Sequence, residues 1–372
     1  MKRRICIFCE TWESGGIESF LTNTLMHMDR SELEIDLICT VLRPSLFTPI
    51  LEKAGIGFTE LSGSLYDLRT NRRRFRQILA QRHYDAIHLN LFQGLSLQYA
   101  RLAREAGVPV RIVHSHNAAL RRSPLKPLKL LVHAVCRRLF RAEATERWAC
   151  SEAAARFMFP RGELARRGWR FIPNGIDAER FRFRPEERDR VRRELGLEGR
   201  FVVGSVGRLC YQKNQELLLE AIAGFHRGNS LLLVVGEGKN RAALEERAAR
   251  LDLSRKIMFY GLSKRVEELY WAMDAFAFPS RFEGLGIAAV EAQAAGLPVL
   301  CSDRVPREAC ICGNVQRLPL KPALWSAAMA QLRPDGGREQ GYEAVCRAGF
   351  RIQETSRLLR DAYMGTEEAD EG

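Results

Sequence analysis

The chain has 372 residues, 46% of them hydrophobic and 28% charged, a globular composition with apolar residues enough for two cores, which excludes a disordered or fibrous protein. No stretch approaches the ~20 apolar residues that span a bilayer, and the basic start MKRRICIFCE lacks the apolar length and cleavage site of a secretory leader. The ten cysteines lack paired metal-ligand spacing. Cys6-x-x-Cys9 has no second pair and no redox helix after it, so buried thiols in a reduced, cytoplasmic chain are expected.

In chain order, Arg4 to Phe8 reads as a short buried strand, then a loop with Gly15-Gly16 and a helix from Ile17 to Met28. EIDLICTVL, YDAIHLNLF, VPVRIVHSHN, RWACS and WRFIPNGID are strand-like. They alternate with helix-like LYDLRTNRRRFRQILAQ, LSLQYARLAREAG, LKLLVHAVCRRLF and EAAARFMF. The pattern pauses in NGIDAERFRFRPEERDR, a charged stretch with the composition of a linker, and restarts with FVVGSVGRL, LLLVVGEG, KIMFYGL, DAFAFPS and LPVLCSD, among helix-like QELLLEAIAGFHR and RAALEERAARL. Such alternation predicts α/β architecture: two Rossmann-like domains with parallel sheets facing a central cleft, and functional loops at the carboxyl ends of the strands. The expected divisions are 1–175, 176–342, a last helix at 343–364 returning to the first domain, and a frayed acidic tail at 365–372.

Charge is unevenly placed. Arg69 to Arg147 holds seventeen Lys/Arg against four Asp/Glu, which accounts for the whole net charge of +13. A basic 69–147 region attracts polyanions, either nucleic acid or an anionic membrane surface. Its second part mixes Lys/Arg with Leu, Val and Phe at helical spacing; a pair of solvated surface helices is the plainer alternative. Stacked aromatics among the arginines and a helix-turn-helix pattern are lacking, which argues against specific nucleic-acid recognition.

SRFEGLGIAAVEAQAAGLP, residues 280–298, places two carboxylates in a run of small and apolar residues. Glu283 and Glu291 are eight residues apart, about 80° in azimuth and ~12 Å in axial rise on one helix, so they cannot form a close acid/base pair. The N–H groups of Gly284, Leu285 and Gly286 between them are expected to form an anion site, with each glutamate accepting from hydroxyls on either side. Arg208 and Lys213, on the loop after FVVGSVGRL, could neutralise a leaving diphosphate. Gly15 and Gly16 allow a close backbone approach at a helix start, though the spacing is not that of a dinucleotide fingerprint. His114 and His116 close a strand and point the same way; either is a candidate for a substrate hydroxyl or phosphate, or a satisfied core histidine. The spacing of acidic and histidine residues indicates no bound metal.

Taken together, GGIESF, HSHN, PNGIDAERF, SVGRLCYQKN, LLLVVGEG, MFYGL, AFAFPSRFEGLGIAAVEAQAAGLPVLCSD and GNVQRLPL resemble the retaining glycosyltransferases of the GT-B fold, family 4 or group 1, and especially the branch that builds bacterial exopolysaccharide and capsule. The resemblance implies a UDP-sugar donor, no cofactor or metal, and a glycan or lipid-linked saccharide acceptor. It assigns Glu283 to the sugar hydroxyls and Glu291 to the ribose. Arg208, Lys213 and the N–H groups of Gly284 and Leu285 fall to the diphosphate, and Gly16 to the donor. His116 or His114 becomes an active-site histidine, and the base lies near Tyr260, Gly261 and Leu262. Where many members carry a glycine-rich turn followed by Glu, this chain has RVPREAC with Glu308, which leaves local contacts there open. Lipid-linked acceptors give the basic region a second reading, as a peripheral anchor at the inner face of the cell membrane. A nucleotide-sugar epimerase of the same fold, and a polyanion-binding protein, are the alternatives.

Overall fold

The computed structural model describes residues 2–120, 124–225, 228–333 and 338–365. It divides into two compact units, Met1–Gly175 with Arg351–Gly372, and Ile176–Phe350.

The first unit is built on strands β1 (Arg3–Trp12), β2 (Leu33–Leu42), β3 (Gly57–Glu60), β4 (Ala86–Leu91), β5 (Val110–Ser115), β6 (Glu146–Ala149) and β7 (Arg170–Phe171). All pair in parallel, in the order β3-β2-β1-β4-β5-β6-β7. Its helices are α1 (Gly16–His27), α2 (Thr48–Lys53), α3 (Leu68–Gln81), α4 (Gln98–Glu105), α5 (Lys126–Leu139), α6 (Glu152–Met158) and α7 (Arg161–Arg167). The inner strands are continuous apolar runs, as sheets covered on both faces require. One core gathers Ile5, Ile7, Phe20, Leu21, Leu25 and Leu37.

The second unit opens with α8 (Ala178–Phe181) and α9 (Pro185–Glu194). Its strands are β8 (Phe201–Val206), β9 (Ser230–Val235), β10 (Ile257–Gly261), β11 (Ala275–Phe278), β12 (Val299–Ser302) and β13 (Val315–Leu318), in the parallel order β10-β9-β8-β11-β12-β13. Helices α10 (Gln215–Ala223), α11 (Arg241–Arg250), α12 (Val266–Ala272), α13 (Ile287–Ala294), α14 (Pro322–Gln331) and α15 (Glu339–Arg347) complete it, and α16 (Ile352–Met364) belongs to the first unit. Both sheets have the doubly wound order, reversing direction between β1 and β4 and between β8 and β11. Ligand sites of this architecture lie beyond the carboxyl ends of the strands at such reversals. No described helix is long and apolar enough to cross a membrane.

Three expectations need correction. The charged stretch after residue 175 is not a linker: it forms α8 and α9, and Arg188 and Arg192 reach the buried Asp274 at 2.6 and 3.2 Å. Its charges are internal partners, which composition cannot distinguish from solvated ones. The division expected at residue 342 falls inside α15, and the final helix starts at Ile352 rather than 343. The basic region is not a free cationic field either. Arg76, Arg82, Arg101, Arg104, Arg141 and Arg147 are ion-paired with Glu105, Asp36, Glu143 or Glu163. Residues 121–123 of that region, 226–227 of the helix-like QELLLEAIAGFHR, and 366–372 of the expected tail lie outside the described residues.

Candidate active site

In the second unit, the loops after β8 and β11 meet at the sheet reversal. Gly236 has φ 131°, and a Cβ there would lie 2.2 Å from the Gly207 carbonyl oxygen. The GEG turn after β9 therefore lies directly against the backbone of 207–209, and Leu209 N–H donates to the Glu237 carbonyl at 2.9 Å. That clamp sets the course of the segment carrying Arg208. Further along, Lys213 Nζ lies 2.8 Å from Glu283 Oε1 and 4.6 Å from the centre of the Phe278 ring. Gln212 Nε2 donates to Glu283 Oε2 at 3.2 Å and to the Phe282 carbonyl at 3.1 Å. Arg281 donates to Asn214 Oδ1 at 2.6 Å, and the Asn214 amide to the Pro279 carbonyl at 3.2 Å. The two loops are thus tied along their length, and two sequence candidates, Lys213 and Glu283, form a largely buried ion pair.

Gly286 has φ 106°, and a Cβ on it would lie 2.9 Å from the Phe278 ring. This left-handed turn ends the loop Glu283–Gly286 and starts α13 at Ile287. Glu283 is therefore on the loop and Glu291 in the second turn of α13, with the buried Gly284, Leu285 and Gly286 between them. Glu291 is not unpaired: Tyr270 of α12 donates its hydroxyl to Glu291 Oε2 at 2.8 Å. Burial raises the Glu291 carboxyl above the usual range, and the Tyr270 hydrogen bond opposes that rise. Tyr260, Gly261 and Leu262 close β10, where Gly261 accepts from Gly236 N–H at 2.8 Å and the side chains of Tyr260 and Leu262 are exposed. Glu308 lies on a short turn, Arg307–Ala309, after β12.

In the first unit, Gly15 and Gly16 form the turn into α1, and a Cβ on Gly16 would meet nothing within 4 Å. Among the described residues, no packing demands glycine at position 16. His114 and His116 do lie together, ring centres 3.9 Å apart, but they differ in setting. His114 is fully buried, packed edge-on by Phe20 and Trp148. Its Nδ1 is 3.1 Å from His88 Nε2, and His88 Nδ1 is 2.6 Å from the Tyr363 hydroxyl of α16. His116 lies just past β5, with Nε2 2.9 Å from Asn90 Oδ1. The Asn90 amide nitrogen donates to the His88 carbonyl, so its oxygen is the acceptor and His116 carries its proton on Nε2. The lone pair on His116 Nδ1 is then buried without a partner among the described residues. Burial lowers the pKa of all three rings, His116 to about 3, so the cluster is neutral.

Tyr270, Gln212, His88, Asn90 and Tyr363 escaped the sequence reading. His88 and Asn90 left a signal, two polar residues at i and i+2 in the otherwise apolar AIHLNL of β4. Tyr270 left none, being 21 residues from Glu291 on a different helix.

Two doubly wound parallel units, with fixed cations and carboxylates at the carboxyl edge of the second, define a transferase of the GT-B class. Residues 187–333 match the family described as Glycosyl transferases group 1, and residues 15–175 match a Glycosyl transferase 4-like domain. A Bacillus subtilis (strain 168) protein named as a glycosyltransferase, EpsF, is 31% identical over 99% of this chain and 98% of its own length. The chain therefore belongs to the group 1 glycosyltransferases and uses a nucleotide-sugar donor. It is also similar to the Escherichia coli UDP-Gal:alpha-D-GlcNAc-diphosphoundecaprenol alpha-1,3-galactosyltransferase, 29% identical over 61% of this chain and 60% of that one. Among solved structures, Anabaena HepE in complex with UDP has a TM-score of 0.79 at 20% identity, covering 98% of this chain and 100% of that one, a likeness of fold. The Bacillus subtilis and Escherichia coli relatives are named as transferases and favour neither the epimerase nor the polyanion-binding alternative.

Proposed function

We propose that the enzyme moves a sugar from a UDP-sugar to a lipid-linked, growing bacterial surface glycan, with retention of anomeric configuration and without a metal ion. The observation that carries this reading is the meeting of Lys213 and Glu283 at the reversal between β8 and β11, with the glycine turn and Glu291 directly following. A donor diphosphate competes with Glu283 for the Lys213 ammonium, and Arg208 adds a second cation on the same loop. Release of Lys213 frees Glu283 to accept from the sugar hydroxyls. The N–H groups of Gly284 and Leu285 turn to the phosphates, and Glu291, oriented by Tyr270, accepts from the ribose. Tyr260, Gly261 and Leu262 flank the base. The leaving diphosphate takes the acceptor proton, so no protein nucleophile is required. Each of the two candidate histidines has one ring nitrogen without a partner among the described residues. His116 is the one assigned to substrate because it lies just past β5, while His114 is fully enclosed by Phe20, Trp148 and His88; the open surroundings of Gly16 suit donor approach. UDP in the HepE crystals and the UDP-galactose donor and diphosphoundecaprenol acceptor in the name of the Escherichia coli relative support the donor and acceptor classes.

A thermal-shift panel of UDP, UDP-sugars and GDP-sugars tests the donor. A ligand at a hundredfold excess over Kd adds ~2.7 kcal/mol, and the absence of any shift across the panel sinks the reading.

For an anionic membrane partner at the inner face of the cell membrane, the supporting feature narrows from the whole 69–147 region to α5. Leu128, Leu131, Val135 and Leu139, spaced to share one face within about 80° of arc, are 53–62% exposed. The opposite face is anchored by polar groups: His133 Nδ1 accepts from Gly94 N–H at 2.8 Å, and Arg137 donates to the Phe157 and Phe159 carbonyls at 2.7 and 2.9 Å. Lys129 and Arg138 flank the stripe, and residues 124–142 contain no Asp or Glu. A fixed apolar stripe among cations suits an anionic lipid surface, with ~1 kcal/mol per basic residue near the headgroups. Leu131→Ser with Leu139→Ser should release the protein from phosphatidylglycerol vesicles in sedimentation. Equal wild-type binding to phosphatidylcholine vesicles, or a dimer that the same substitutions dissociate, would refute the membrane assignment.

A further inference from the structure

Cys6 and Cys9 are buried at an odd spacing on β1, on opposite faces of the sheet. Cys301 and Cys310, which no motif connects, have their sulfurs 3.6 Å apart. Cys301 is buried on β12; Cys310 is partly exposed, just after the Arg307–Ala309 turn.

A rigid frame holds the pair. Gln293 of α13 donates its amide to the Ala309 carbonyl and accepts from the N–H groups of Ile311 and Cys312, at 2.7–2.9 Å, fixing the chain on both sides of Cys310. Arg317 of β13, the register partner of Cys301, donates to the Asp303 and Val305 carbonyls at 2.8 and 2.9 Å. The sulfurs thus sit where a modest side-chain rotation closes them to the ~2.05 Å of a disulfide. Their roles are unequal. Either sulfur can donate to the other; hydrogen bonding from Cys301 to an ionised Cys310, with the Arg317 charge, draws the Cys310 thiol down to about 7 against the opposing effect of burial, and the Cys301 thiol is pushed up. The partly exposed sulfur is the one that ionises, and the buried one keeps its proton.

We infer that Cys301 and Cys310 form a peroxide-oxidisable dithiol that closes to an intramolecular disulfide beside the β12 carboxyl edge. The Cys310 thiolate attacks hydrogen peroxide, breaking the O–O bond to give a sulfenic acid and hydroxide, which takes up a proton as water. The Cys301 sulfur then displaces the sulfenic oxygen. An S–S bond forms, the S–O bond breaks, and the Cys301 proton leaves with the oxygen as a second water. Two electrons pass from the thiols to the peroxide. The inference does not depend on the transferase reading.

Peptide mapping of the full chain after near-stoichiometric hydrogen peroxide tests it. The expected first product is the Cys301–Cys310 crosslink, reversed by dithiothreitol. Cys310→Ser should abolish it, and Cys301→Ser should stop at a Cys310 sulfenic acid that dimedone traps. At pH 7, iodoacetamide should alkylate wild-type Cys310 about threefold to fourfold faster than an ordinary thiol of pKa ~8.5, the larger thiolate fraction being partly offset by weaker nucleophilicity. First oxidation at Cys210, Cys312 or Cys346, or a crosslink through Cys312, overturns the assignment. If either serine variant fails to fold, the alkylation profile of wild-type Cys310 decides: a midpoint near 7 supports the dithiol, and one at or above 8.5 refutes it.

Discussion

Tyr270→Phe removes the hydrogen bond that, with the charges of Arg180 and Lys213, offsets burial of a carboxylate inside α13, along with the hydroxyl's longer contact to the Ala288 carbonyl at 3.2 Å. The substitution keeps the ring, which packs against Phe181 and Phe276, and removes the hydroxyl that donates to Glu291 at 2.8 Å. A hydrogen bond to a charged group is worth ~1.5–3 kcal/mol and one to a neutral group ~0.5–1.5. Glu291 keeps some solvent contact, so the lower part of the charged range, about 1.5–2 kcal/mol, is expected above the carboxyl's folded pKa. Burial has raised that pKa, so Glu291 favours the fold below its unfolded pKa and that contribution is lost as pH rises through the folded one. Removing Tyr270's hydroxyl raises the folded pKa further, so the variant's deficit should be largest at pH 8 and shrink toward pH 5. The assay is urea unfolding at both pH values, followed through the transition of the second unit, for Tyr270→Phe, Glu291→Gln and the double variant. A coupling below about 0.5 kcal/mol at pH 8, or a deficit that grows on acidification, would refute the argument.

Glu283→Gln should lower kcat and blur the choice among donor sugars, whereas Glu291→Gln should mainly weaken nucleotide binding, both read by steady-state kinetics and nucleotide titration. Gly236→Ala drives a Cβ to within 2.2 Å of the Gly207 carbonyl at a φ of 131°; a loss of about 2–4 kcal/mol is expected, seen as a lowered Tm. His88, His114 and His116 all have depressed folded pKa values, so their stabilising contribution is present above the unfolded pKa of ~6.5 and is lost as pH falls toward about 3. Chemical unfolding should show the first unit weakening below pH 6.5 by up to ~1.4 kcal/mol per pH unit for each ring, and His114→Asn should flatten the slope; a stability independent of pH between 6.5 and 5 contradicts it.

The sheets were legible because their strands are buried on both faces and read as apolar runs, as in β8 and β9. The edge strands β3 and β13, GFTE and VQRL, are partly exposed and mixed, so they carry no such run. The spacing of Glu283 and Glu291 excluded a close acid/base pair, and the structure puts the first on a loop and the second in the second turn of α13. What it could not reveal is that Lys213 pairs with Glu283 and Tyr270 with Glu291, since both contacts bridge segments far apart in sequence. For α5 the apolar stripe was visible but its direction was not. A stripe of leucines ordinarily faces inward; here His133 and Arg137 tie the opposite side to backbone groups, and the leucines are left outside.

The final helix has a consequence for synthesis. Leu359, Ala362 and Tyr363 of α16 are part of the core of the first unit, whose sheet ends at β7, so that the intervening unit from Ile176 to Phe350, 175 residues, is made between the completed sheet and α16. At ~5–20 residues per second, the nascent first sheet waits roughly 9–35 s for the segment that covers it. During that interval the surfaces of α1, β1 and His88 that α16 later closes stand open, a window for chaperone engagement.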